Sequence, residues 1–200
     1  MAKMAKTTFE GEVYSHRQLW TAARSMRARS DAEKKGSMYC DMVAMLLARL
    51  TVEAYCNFLI HVLDPDTFDK EREIFGSSTD RKLQWVCGRV GFALDRGRRP
   101  YQTVKSLDTL RNRMVHAKPE VYTGEEIHSV EEERPFMRPG ELEKCVSPKL
   151  CTRALEDVDL LCEELHKQIL ASADRKQKRR LEPYALKGSL QRQASSSKLA

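Results

Sequence analysis

Apolar residues recur at the three-to-four spacing of an amphipathic helix in five stretches of this chain. The first, Val13 to Arg29, carries Leu19, Trp20, Ala23 and Met26 among arginines and predicts a short helix in an outer layer. In the second, Met38 to Leu63, apolar residues stand at 39, 42, 43, 46, 50 and 59, with more at 47, 58 and 62, so a central helix is expected, stopped by Pro65. A Ser/Thr/Asp start then opens a third helix, with Leu83, Val86, Val90 and Leu94 on one face and "DRGRRP" after it. The fourth runs from about Gln102 to His116, bearing Val104, Leu107, Leu110, Met114 and Val115. It ends before Pro119, because the residue preceding a proline resists helical angles. The fifth starts at Ser147 as N-cap with Pro148 in the first turn, and its stripe continues through Leu150, Ala154, Leu155, Val158, Leu161, Leu165 and Ile169.

Residues 117–147 are too long for a bundle turn, contain prolines at 119, 135 and 139, and include the acidic run Glu131-Glu132-Glu133. A short hairpin is expected around "EVYTGEEIHSV". The economical architecture is all-α: an up-and-down bundle of segments two to five, an extra N-terminal helix, and a long insertion before the last helix. One domain over residues 1–173 follows.

Composition and charge sharpen this reading. With 41% hydrophobic and 32% charged residues and nine glycines, the chain has enough apolar material for a core and favours helical surfaces over tight-turned β structure. The region 38–63 is interrupted by Asp41, Arg49, Glu53, Asn57 and His61, so no membrane span is expected, and the N-terminus lacks an export signal. A cytoplasmic protein is the expectation. Residues 174–200 hold eight Lys or Arg against Asp174 and Glu182, a net of +6, so the chain's whole formal charge of +6 resides there. That segment is expected to be a mobile, solvated basic tail. The six cysteines form no CxxC and read as small buried hydrophobes. Neither a metal site nor a cofactor is expected.

The chemistry concentrates in "SLDTLRNRMVHAKP", Ser106 to Pro119. On a helical wheel Arg111 falls inside the apolar arc, which leaves it two roles: pairing with a core acid such as Glu53, or facing a groove where an anion binds. Asn112 and His116 are i, i+4 neighbours, so the amide can orient the imidazole. At 100° per residue Arg111 and His116 diverge by about 140°. They converge through a frayed helix end, on a large ligand, or across two subunits, and a homodimer is expected. Cleavage of an RNA phosphodiester by its adjacent 2′-hydroxyl wants this pair. Histidine moves the proton near neutral pH, and arginine holds the phosphate through two parallel hydrogen bonds.

"LRNRMVHA", Leu110 to Ala117, resembles the RNxxxH form of the R-x(4–6)-H motif of HEPN domains (higher eukaryotes and prokaryotes nucleotide-binding). The early helix "ARLTVEAYCNFL", with Glu53, is similar to helices found early in such domains. The resemblance covers residues 38–118 and the final helix. It implies a four-helix HEPN-like bundle, often dimeric, and a metal-independent ribonuclease with Arg111, Asn112 and His116 as catalytic residues in a cleft between subunits. Lys105, Arg113 and Lys118 are the expected RNA-binding residues: Arg81 to Lys118 holds ten Lys or Arg against two acids, while 119–147 is acidic. A non-catalytic bundle of the same family, binding a partner protein or a nucleotide, is the alternative. His16, His61, His128 and His166 read as surface or packing histidines, and Trp20 and Trp85 as core or interface anchors.

Overall fold

A helix that is apolar on most of its faces must be covered on most of them, and the second segment shows this. The computed structural model describes residues 5–10, 13–66, 76–121, 123, 139–181, 185–186 and 193–198. Two helices open the bundle: α1 spans Ser15–Ala32 and α2 Ser37–Leu63. After them come α3, Thr79–Val90; α4, Tyr101–Val115; α5, Pro148–Ser172; and a short α6, Arg175–Arg180. Every one of these packs on α2. By length and composition α2 could cross a membrane, yet here Ala44, Ala48, Val52, Tyr55, Leu59 and Ile60 on it are wholly buried in the helical core.

Helix ends follow local chemistry. Ser147 accepts from the Leu150 N–H at 3.2 Å with Pro148 in the first turn, and Ser78 accepts from Arg81 N–H at 3.3 Å. The third helix is shorter than its stripe suggested. Gly91, at φ 66° and ψ 25°, takes the left-handed conformation that glycine adopts freely, and the Phe92 N–H closes the helix onto the Cys87 carbonyl at 2.9 Å. Leu94 therefore lies beyond α3, packed on the core from the loop.

Cross-helix pairs set the directions. Glu53 with Lys82 and Asp64 with Arg89 make α3 run in the same sense as α2, and Asp41 with Cys151 and Tyr55 with His166 do the same for α5. Arg27 with Asp41 and His16 against Tyr55 make α1 antiparallel to α2. Thr103 meets Asp157 at one end of α4 while Arg113 meets Cys145 at the other, so α4 runs antiparallel to α5 and therefore to α2. Segments two to five thus do not alternate as an up-and-down bundle requires. Alternation belongs to α1, α2, α4 and α5, so the first helix is a bundle member rather than an appendage. Because Lys82 meets Glu53, α3 begins beside the middle of α2 and runs toward its C-terminal end.

Burial supports the hydrophobic reading of most thiols: Cys56, Cys151 and Cys162 are fully buried, which pushes Cys56 and Cys151 up to about 12. Trp20 is in the core, while Trp85 is half-buried with the Arg89 guanidinium 5.2 Å from its ring. His16 and His166 are packing histidines, as expected. Burial, aided by neighbouring Arg17, pushes His16 down to about 3, and Tyr55 O–H and His166 Nδ1 share a 2.8 Å hydrogen bond. His61 contacts Arg180 through Nε2 at 2.6 Å. His128 and most of the expected hairpin lie outside the described residues.

The boundary at residue 174 is corrected. Asp174 and Gln177 form a capping box at the start of α6, at 2.7 and 3.0 Å, and Leu181, Ala185 and Leu186 are buried in the core. The His16 imidazole faces the Ala185 backbone within hydrogen-bonding reach. At the chain ends β1, Ala5–Glu10, pairs antiparallel with β2, Gln193–Lys198, joining Ala5 to Lys198 and Glu10 to Gln193. Leu181, Ala185 and Leu186 lie in a segment whose basic composition concealed their place in the core. Deleting residues 174–200 is expected to lower stability by about 3–6 kcal/mol, from the loss of two buried leucines. Urea denaturation checks this, and an unchanged midpoint would show the segment to be dispensable.

Candidate functional site

The fourth helix buries Val104, Leu107 and Leu110 and half-buries Met114, which fixes where its polar residues face. It remains helical through Val115, and His116, at φ −112° and ψ 26°, is its C-cap, with its N–H on the Asn112 carbonyl at 3.0 Å. The helix therefore does not fray between Arg111 and His116, and their divergence of about 140° stands within one chain. Arg111 is half-buried; Asn112, His116, Lys105 and Lys118 are exposed.

Arg111 does not pair with Glu53. That carboxylate accepts from Lys82 Nζ at 2.8 Å and from Arg49, while Arg49 Nε also donates to Asp108 at 2.6 Å. Lys82 is fully buried and Arg49 nearly so. Burial works against the Glu53 carboxylate, but the hydrogen bonds from Lys82 and Arg49 outweigh it and hold its pKa below 4.5; the same bonds, with Asp108, hold the Arg49 guanidinium above its usual value against its own burial. These four groups tie α2, α3 and α4 together beneath the motif. The i, i+4 spacing of Arg49 and Glu53 was a sequence signal for half of this network. A lysine within the apolar stretch of α3 was the signal for the rest.

Arg111 instead donates from Nη1 to Asn112 Oδ1 at 3.0 Å. The amide is thus turned to the guanidinium, not to the imidazole as its spacing suggested. Among the described residues the His116 imidazole has no hydrogen-bond partner. Arg113 leaves the group: its Nη1 reaches the Glu141 carbonyl at 3.3 Å, Cys145 Sγ at 2.9 Å and the Glu141 carboxylate at 3.7 Å. It fastens the end of the insertion to α4, where Glu120 also accepts from the Glu141 N–H at 3.1 Å.

Ion pairing thins the basic stretch 81–118. Lys82, Arg89, Arg96, Arg98, Arg99 and Arg113 each face a carboxylate, Arg99 gripping Asp157 through two bonds of 2.7 Å. Among the described residues Lys105, Arg111 and Lys118, on α4 and its exit, have no carboxylate partner. Among the described residues these three cations and the His116 imidazole, on α4 and just past its end, are left without an acidic partner. Among the described residues no cluster of three His, Cys, Asp or Glu is placed to hold a metal ion. Comparison with protein-family models, with curated proteins and with solved structures returned no match to this chain.

Proposed function

We propose that this chain is a metal-independent endoribonuclease of the HEPN type, a cytoplasmic homodimer that binds RNA along α4 and cleaves it at a cleft between two copies. The observation that carries this reading is that Arg111 has no carboxylate partner among the described residues: the core acids Glu53 and Asp108 are held by Lys82 and Arg49, and the guanidinium donates only to the neutral Asn112 amide, which leaves its charge to a ligand. In the reaction the substrate 2′-hydroxyl attacks the adjacent phosphorus and the P–O5′ bond breaks, leaving a 2′,3′-cyclic phosphate on one fragment and a protonated 5′-hydroxyl on the other. His116 moves the proton at the attacking or leaving oxygen. Arg111, positioned by Asn112, grips the phosphate and offsets the charge that builds on it. Lys105 and Lys118 bind the flanking backbone.

Two copies are invoked because one straight helix directs Arg111 and His116 apart. Exposed apolar side chains support the pairing: Val115 is 58% exposed, and Tyr39 and Val43 are 61% and 37% exposed. Since α2 and α4 are antiparallel, all three stand at the Arg111 end of the molecule, where a second copy would cover them. The same residues suit a non-catalytic bundle that docks a partner protein, and that is the second reading.

Mixing subunits separates the two. Arg111→Ala and His116→Ala chains, each inactive alone, should regain about a quarter of wild-type RNA cleavage when mixed, because half the dimers are mixed and each of those has one intact site. No recovery, together with a monomer in sedimentation at tens of micromolar, where weak specific dimers dissociate, would remove the shared site.

A further inference from the structure

On the side of α4 that bears Arg113, a cleft of about 340 Å³ separates this helix from α5. Its volume lies within the range of ligand pockets, about 300–1,000 Å³. Met45, Leu107, Leu110, Leu150 and Ala154 supply apolar walls. The hydroxyls along it have committed their protons: Ser106 donates to the Gln102 carbonyl at 3.0 Å, Thr109 to the Lys105 carbonyl at 3.3 Å, and Thr103 to Asp157. They offer a ligand acceptors only. The donors in the lining are two guanidinium groups, Arg113 and Arg153.

Arg153 is the informative one. It is half-buried and has no carboxylate partner among the described residues. It also borders a neighbouring hollow of about 420 Å³ together with Arg27, Arg99 and Lys149, where Glu156 is the one acid in the lining. Arg27 and Arg99 are neutralised by Asp41 and Asp157. Among the described residues Arg153 and Lys149 have no such carboxylate, so positive potential gathers on the side of the cleft where Arg153 borders this hollow. A half-buried guanidinium with no carboxylate partner among the described residues, lining an apolar cleft, is complementary to a negative group on an apolar body.

We propose that this cleft binds a small amphipathic anion, its apolar body between the α2, α4 and α5 side chains and its carboxylate or phosphate held by Arg153, with Arg113 as second donor. The site is separate from Arg111 and His116 and stands whether or not the chain cleaves RNA.

Titration calorimetry on the full chain tests it with octanoate and hexyl phosphate. Acetate and inorganic phosphate provide the head alone, and 1-hexanol the body alone. Octanoate or hexyl phosphate should bind saturably at one site, at least tenfold tighter than acetate, inorganic phosphate and hexanol; which of the two binds tighter tells a carboxylate ligand from a phosphate ester. Arg153→Met, which keeps the length and removes the charge, should weaken binding roughly tenfold to a hundredfold, the range for a lost charge-assisted hydrogen bond. Ser106→Trp, at an exposed position on the cleft wall, should block it. Hexanol binding as tightly as octanoate, affinity unchanged in both folded variants, or no binding of either amphiphile overturns the proposal.

Discussion

Glu53→Leu, made alone, should destabilise the protein by about 3 kcal/mol, the low end of the range for removing one partner of a buried ion pair, because Glu53 itself is half-buried. The cost arises from what remains, since Lys82 is fully buried and its ammonium would lose the acceptor 2.8 Å away. Adding Lys82→Met should restore most of the loss, because the ammonium is gone and Arg49, which also loses Glu53, keeps Asp108 as its partner. Acid provides a second check. The folded-state pKa of Glu53 is depressed, so its contribution is present above the unfolded value near 4.5 and is lost as pH falls through the folded value. The double variant should not show that loss. A Glu53→Leu protein within 1 kcal/mol of wild type would mean that the network does not hold Lys82 as described.

The second large effect is on rate. His116→Ala should lower RNA cleavage on the order of 10²–10⁴-fold, the contribution of a general acid or base, with little change in RNA affinity. Arg111→Ala should lower both rate and affinity, since it removes a bidentate phosphate contact as well as charge stabilisation. Asn112→Ala acts through the guanidinium it accepts from and should fall between wild type and Arg111→Ala. The stability variants and these three are distinguishable by circular dichroism: His116 and Asn112 are exposed, and their loss should leave the fold unchanged. Full activity in His116→Ala would remove the imidazole from the mechanism.

Helix positions were readable from the chain because a buried stripe leaves a period. Leu107 and Leu110 on α4, and Val158, Leu161 and Leu165 on α5, lie in the core where their spacing placed them. What periodicity does not encode is direction and partner. The stripe of α3 was visible, but its sense relative to α2 is set by Lys82 and Arg89 meeting Glu53 and Asp64 across a long link. The tail was misread for a related reason: Leu181, Ala185 and Leu186 are too few to make a pattern, yet three buried residues suffice to seat a segment on an existing core. At the candidate site, the wheel located Arg111 inside the apolar arc, and the choice between a core acid and an open face turned on which cations hold Glu53. That is a tertiary contact, and Lys82 and Arg49 make it. Arg113 sits two residues from Arg111 and shares its charge, but a step of about 200° along the helix puts it on the cleft side.

The most direct test of the central claim is an incubation of purified wild-type chain with end-labelled single-stranded RNA in excess EDTA, followed by analysis of the product ends. Attack by the substrate's own 2′-hydroxyl predicts undiminished cleavage and fragments ending in a 2′,3′-cyclic phosphate, both absent with His116→Ala. Cleavage that EDTA abolishes, or products bearing a 3′-hydroxyl, would contradict the mechanism, and no cleavage of any RNA would leave a partner-binding helical bundle in its place.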